Sequence, residues 1–260
     1  GMSFVKEVEI ETPGIESIFC ACGHYLIGSK HDNTSFIIDT KTYKLIEVDR
    51  FISNCKTLNV IQRDEKSFFQ VCLQTIRAVG ANTNGVAISY DTDINFSCTD
   101  NENILLLFSE NAEIVTKDLE PIDQIIFQNS TAYTAALYQG LIAVSFYSGE
   151  IQLFEPNEEE KIQLQASIEV SDLIIFLQFV VYNKNTSLVA FAENGLILRY
   201  EINRENDGSL TLHQISRTQI GYLIKNVIKI HSDNKNNDLN GVLFINCSSP
   251  MLLYPDGTFV

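Results

Sequence analysis

Cys20, Cys22, His24 and His31 are the tightest gathering of metal-ligating residue types in the sequence. Thiolates and imidazoles bind zinc, but Cys-x-Cys followed by these two His is not a recognised zinc spacing. Residues 20 and 22 fall on one face of a strand, where two thiols act as small core hydrophobes. A second cluster, Asp91, Asp93, Asn95 and Asp100, has the oxygen donors calcium prefers. A calcium loop of the EF-hand type also needs a Gly and a closing Glu at set positions, and neither is in place, so a solvated turn is expected. Glu155 to Glu160 form an acidic run. Within it Glu158, Glu159 and Glu160 are the residues expected to meet a basic partner surface, although a charge run is ordinarily a solvated face.

No enzyme signature is present. Nucleotide-binding glycine loops, a nucleophile elbow and a His-Glu-x-x-His zinc motif are all absent. A hydrolytic set needs a His placed against a Ser or Cys and an acid, which four scattered His do not establish, and His213 and His231 border strands as plain polar residues. Propellers and other common folds host enzymes, so fold alone does not decide the matter. The missing His and acid constellation does, and the expectation is a non-enzyme without metal or cofactor.

The balance of charge narrows the partners. The 260 residues carry 18 Lys and Arg against 33 Asp and Glu, a net charge of −15. Phosphate-rich partners attract clustered cations, so neither direct nucleic-acid binding nor an anionic membrane surface is expected. No apolar run reaches the length of a spanning helix, and Gly1-Met2-Ser3 opens no signal peptide. With 45% apolar and 20% charged residues the composition is that of a globular chain, large enough for a dry core. The six Cys show no disulfide framework, and Cys72 and Cys247 sit inside apolar runs. That pattern implies buried thiols and a reducing compartment, nuclear or cytoplasmic.

The elements that must position these residues are strands. Leu141 to Phe146, a turn at Tyr147-Ser148-Gly149-Glu150, and Ile151 to Phe154 make a hairpin by their turn chemistry. The unit recurs from Leu188 through Asn194-Gly195 and from Val242 through Ser248-Ser249. Weaker copies start at Tyr25, Phe68 and Ile104. The six copies are spaced by about 36 to 54 residues, close to the period of propeller blades. Asn203 to Gly208 and Ser232 to Asn240 are polar and are expected to be insertions that lengthen the late steps. A helical solenoid of similar period needs apolar residues at i, i+3, i+4 and i+7, and no segment shows them. Ile174 to Val181 is rich in β-formers and is expected to be a buried strand. The fold class is therefore all-β, a β-propeller of about six to seven four-stranded blades. It is not of the WD type, because the chain has no Trp.

With those elements in order, the chain resembles a family of very large triple-propeller proteins. They are the large subunit of the damaged-DNA-binding complex, the propeller subunit of the spliceosomal branch-site complex, the largest cleavage and polyadenylation factor subunit, and the fungal methyl-methanesulfonate-sensitivity adaptor. The likeness is to their middle propeller. It is carried by Thr12-Pro13-Gly14-Ile15, the strand pair at Tyr25 to Ile38, Lys56-Thr57-Leu58, Phe69-Gln70-Val71 with Thr75-Ile76-Arg77, and Glu193 to Tyr200. Where the family often has Trp-Lys-x-Pro, this chain has Gly80-Ala81-Asn82-Thr83, a departure that favours the fungal adaptor branch. The resemblance implies that residues 1–260 are one propeller domain, a fragment of a longer protein. It implies a scaffold that docks the N-terminal region of a cullin in a ubiquitin ligase adaptor for DNA repair and replication. The alternative it implies is a scaffold subunit of a pre-mRNA splicing or cleavage/polyadenylation complex.

Overall fold

The computed structural model describes residues 15–22, 25–39, 42–47, 51, 54–128, 130–230 and 240–260, with only the backbone of 15–22, 25, 46 and 47. These residues form twenty-three strands, and among them there is no helix. Blade 1 is β1 (Ile15–Cys22), β2 (Tyr25–Lys30), β3 (Ser35–Asp39) and β4 (Lys44–Glu47). Blade 2 is β5 (Asn59–Gln62), β6 (Ser67–Val71), β7 (Thr75–Gly80) and β8 (Ala87–Ser89). Blade 3 is β9 (Phe96–Thr99), β10 (Asn103–Leu107), β11 (Asn111–Thr116) and β12 (Pro121–Ile126). Blade 4 is β13 (Ala132–Tyr138), β14 (Leu141–Phe146), β15 (Glu150–Pro156) and β16 (Ile162–Glu169). Blade 5 is β17 (Ile174–Tyr182), β18 (Asn185–Ala192), β19 (Leu196–Arg204) and β20 (Leu210–Gln219). Blade 6 is β21 (Asn226–Lys229), β22 (Leu243–Asn246) and β23 (Met251–Leu253).

Every sheet is an antiparallel meander in chain order. The first strands of successive blades, β1, β5, β9, β13, β17 and β21, touch one another in turn and so line the axis. The result is a six-bladed β-propeller. Blade 6 gains its outermost strand from the end of the chain, where Leu252 and Val260 exchange both backbone hydrogen bonds at 2.9 Å. The Arg199 guanidinium of blade 5 donates to the Pro255 carbonyl and fastens that final turn.

The second strand of each blade explains why the fold exists. Its side chains alternate between two faces, and each face packs against a different neighbour. In β10, Ile104 and Leu106 enter the seam with blade 2, while Leu105 and Leu107 enter the seam with blade 4. In β18, Leu188 and Ala190 face blade 4, whereas Val189 and Phe191 face blade 6. A strand buried on both sides reads as a continuous apolar run, and the hairpins recognised in the sequence are built on these strands. The buried Ser145 hydroxyl donates to the Ile174 carbonyl at 2.8 Å and ties blade 4 to blade 5 within a seam.

One of the two polar stretches differs from what its polar composition implies. Residues 203–208 are not an insertion. β19 continues to Arg204, and a tight turn closed by Glu205 N to the Ser209 carbonyl at 2.8 Å leads straight into β20. The extra length is strand, nine residues in β19 and ten in β20. The other polar stretch, Ser232 to Asn240, lies outside the described residues except for Asn240.

Two turn glycines are fixed by close approach as well as by backbone angle. Gly195, at φ +92°, would place a Cβ 2.5 Å from the Tyr222 carbonyl. Gly149, at φ +89°, would meet the Val170 carbonyl at the same distance. Each turn therefore presses on the crossover to the following blade. Gly195→Ala is expected to cost about 2 kcal/mol of stability, from left-handed strain and displacement of the crossover backbone. Urea unfolding of the variant against the parent chain measures it, and an unchanged midpoint would show that the crossover yields freely.

Candidate functional site

An up-and-down sheet sends alternate turns to opposite ends. In this propeller the turns between second and third strands share one face with the blade-to-blade crossovers. Several turn and crossover residues on this face are large, apolar and exposed. Leu73 (50% exposed) tips the β6–β7 turn and Tyr147 (60%) the β14–β15 turn. Leu173 lies on the crossover to blade 5, and Tyr222 and Leu223 (65% exposed) lie on the crossover to blade 6. Leu73, Tyr147 and Leu223 line a cavity of about 920 Å³ at the mouth of the central channel.

The mouth is shaped by two β-bulges. In β13 the pairing steps from Ala132↔Phe146 to Thr134↔Ser145, leaving Tyr133 out of the ladder. In β17 it steps from Ile174↔Ala192 to Phe176↔Phe191, leaving Ile175 out. A bulge re-aims the extra residue, and both Tyr133 and Ile175 line the mouth. Tyr133 meets Tyr147 edge-to-face with ring centroids 5.0 Å apart. Burial raises the Tyr133 hydroxyl pKa, with Tyr147 and Glu193 adding to the shift, so the ring acts as a neutral apolar wall. Around this apolar centre stand the exposed carboxylates of Asp91, Asp93, Glu110 and Glu193, against Lys56 and Lys225. Such a face suits a partner with an apolar ridge and basic flanks.

Deeper along the axis, Lys229 on β21 donates from Nζ to the Phe179 carbonyl at 2.7 Å and lies 5.4 Å from the Tyr138 ring centroid. Burial lowers its pKa to about 8.

The residues singled out in the sequence do not converge. Asp91, Asp93 and Asn95 lie on the crossover before β9, while Asp100 follows its other end. There Asp100 accepts from the amides of Glu102 and Asn103 at 3.0 and 2.8 Å, and Asp93 accepts from Gln74 Nε2 at 2.9 Å. These are turn and surface contacts. Glu158, Glu159 and Glu160 are exposed at the tip of the β15–β16 turn, on the face opposite the mouth. That turn is held by Asn157, whose side-chain oxygen accepts from the Glu159 and Lys161 amides at 2.9 and 3.0 Å. His24 and His231 lie outside the described residues, as do the side chains of Cys20 and Cys22. Cys72 and Cys247 are buried, as their apolar surroundings predict. Among the described residues no three His, Cys, Asp or Glu side chains gather to hold a metal ion, and no helix is long and apolar enough to cross a membrane.

The mouth residues escaped the sequence reading because Tyr147, Leu173, Tyr222 and Leu223 stand beside turn-formers and look like strand ends. Large apolar residues within Gly-, Ser- and Asp-marked turns are the local signal that would have found them.

Fold and face together define a β-propeller built around an apolar, acid-rimmed interaction surface. The chain belongs to the family described as the RSE1/DDB1/CPSF1 second beta-propeller, whose model matches residues 6–259. It is a scaffold propeller of that family, as the resemblance implied. Among solved structures it is similar to the β-propeller domain of Cps50 (Swd1) from Myceliophteria thermophila, at 10% identity and a TM-score of 0.69, over 96% of this chain and 86% of that one. It is also similar to Hsv2p of Kluyveromyces lactis, at 12% identity and a TM-score of 0.60, over 83% and 76%. At such identities the likeness is one of fold. Comparison with curated proteins finds no match.

Proposed function

We propose that this chain is a non-catalytic docking module, the middle propeller of a longer multi-propeller protein in the nucleus. We further propose that its acid-rimmed apolar mouth receives the N-terminal region of a cullin, in a ubiquitin ligase adaptor serving DNA repair and replication. The observation that carries the choice of face is its set of exposed apolar turn residues, of which Leu73, Tyr147 and Leu223 line the channel mouth and Leu173 and Tyr222 lie on the crossovers of the same face. Apolar patches with a polar rim mark interaction sites, and buried aromatic anchors dominate the energy of such contacts. The choice of partner rests on the family. Because the family description also names RSE1 and CPSF1, the second reading is a scaffold subunit of a splicing or cleavage/polyadenylation complex. Glu158, Glu159 and Glu160 on the opposite face offer a separate contact for a basic surface.

Leu223→Asp places a charge in the centre of the apolar ring without touching a seam. It is expected to weaken binding to a purified cullin N-terminal region at least about tenfold, with the melting temperature unchanged. Calorimetric titration of both proteins checks this. No measurable cullin binding by the parent chain sinks the ligase reading, and co-purification with splicing or 3′-end factors moves the protein to the second. Equal affinity of parent and variant moves the docking site away from the mouth.

A further inference from the structure

Cys55 and Cys72 meet at the rim of the mouth. Cys55 lies in the crossover from blade 1 to blade 2, and Cys72 directly follows β6. The Cys55 thiol donates to Cys72 Sγ with the sulfurs 2.9 Å apart, within a small movement of the roughly 2 Å of a disulfide bond. The surrounding backbone holds them there. Leu58 N donates to the Val71 carbonyl at 2.8 Å, and the buried Gln70 side chain donates to Thr57 Oγ1 at 2.8 Å. The crossover is thus laid against the end of β6 by two bonds just after Cys55 and just before Cys72. Cys98 and Cys247 sit in other blades, on β9 and in the β22–β23 turn.

The two thiols differ in exposure. Cys55 is half-buried and within reach of a small oxidant, while Cys72 is buried. Burial, with the Cys55 thiol beside it, raises the Cys72 pKa to about 12 and keeps it protonated at neutral pH. Reactivity toward peroxide follows exposure and thiolate character.

We propose that Cys55 and Cys72 form a reversible disulfide when the protein meets hydrogen peroxide, a modification site at the rim of the docking face. The Cys55 sulfur attacks the peroxide O–O bond and becomes a sulfenic acid, releasing one water. The Cys72 sulfur then attacks the sulfenic sulfur. The S–S bond forms, the S–O bond breaks, and the departing hydroxyl leaves with the Cys72 proton as a second water. Two electrons pass from the two thiols to the peroxide, and a dithiol reductant reverses the step. The bond joins the first crossover to the tip of blade 2, the stretch that carries Leu58 and Leu73 into the wall of the mouth. This holds whichever partner docks there.

The test uses the reduced full chain, a small molar excess of hydrogen peroxide, an alkylating quench, and mass spectrometry of a non-reducing tryptic digest. Lys56, Arg63 and Lys66 lie between the two cysteines, so trypsin places them on separate peptides. The expected product is a Cys55–Cys72 cross-linked pair, lighter than the two free-thiol peptides by two hydrogen atoms and abolished by dithiothreitol. The oxidised chain should melt about 5 °C higher than the reduced one, since the bond closes a short loop. Cys55→Ser should lose both the cross-link and the shift. Cys72→Ala, which leaves Cys55 without its resolving partner, should carry Cys55 on to sulfinic acid. Sulfinic acid at Cys55 in the parent chain without the cross-link overturns the proposal. So does a pairing of Cys55 with another cysteine, or a cross-link that forms only in denaturant.

Discussion

Phe191→Ala is expected to lower the unfolding free energy by about 3–5 kcal/mol, the range for emptying a large aromatic site in a packed core. Phe191 is fully buried on β18 and projects into the seam between blades 5 and 6, beside Val227, Leu243 and Ile245. That seam is short of strand, because β21, β22 and β23 span four, four and three residues. Few neighbours can collapse into the space the ring leaves, so the cost should fall in the upper part of that range. Urea unfolding followed by circular dichroism measures it. Ile126→Ala on the outer strand β12, where the side chain is 70% exposed, is the matched control and should move stability by no more than about 0.5 kcal/mol. A Phe191→Ala loss as small as the control's would mean that blade 6 is not packed against blade 5.

The second large effect is a pH dependence belonging to Lys229. Its folded pKa is held at about 8 by burial, against an ordinary 10.5. Between those values the unfolded chain keeps a proton that the folded chain has released, so stability rises with pH across this window. Below pH 8 both states hold the proton and the full cost of burying the ammonium is present. That cost is on the order of 3 kcal/mol. Other groups pull the opposite way. Burial raises the pKa of Cys72, Cys98 and Tyr90, so the unfolded chain loses those protons first and stability falls as pH rises past their ordinary values. The difference between the parent chain and Lys229→Met isolates the amine. Relative to the variant, the parent should gain stability between pH 8 and 10.5, in denaturant unfolding at pH 7, 9 and 10. Parallel profiles would show that water reaches Nζ in the channel.

Both predictions depend on the same architecture, in which a strand belongs as much to its neighbours' blades as to its own. Scaffold function follows without a catalytic group. Rigid blades present crossovers from distant parts of the chain on one face, and the turn residues there are free to be apolar because no seam claims them. The bulges at Tyr133 and Ile175 widen the apolar wall without interrupting the inner strands.

The amino-acid sequence by itself determined the second and third strands of every blade. In β10, β14 and β18 both faces are buried in adjacent seams, so the signal is a local apolar run with a turn behind it, repeated six times. The outer strands were harder to see. β20 is exposed along most of its length, and β16 is nearly as exposed, so polar residues cover them and imitate loops. Residues 203–208 imitate an insertion because the polar end of β19, Asn203 and Arg204, runs directly into a polar turn. The tertiary structure alone decided which residues meet. It sent Asp91 and Asp100 to opposite ends of one strand, and it gathered Leu73, Tyr147, Leu173 and Leu223 from four separate segments. It also brought Cys55 against Cys72. Burial within a hairpin is written in neighbouring residues. Juxtaposition around a ring depends on how whole blades pack, and no local pattern of residues encodes that angle.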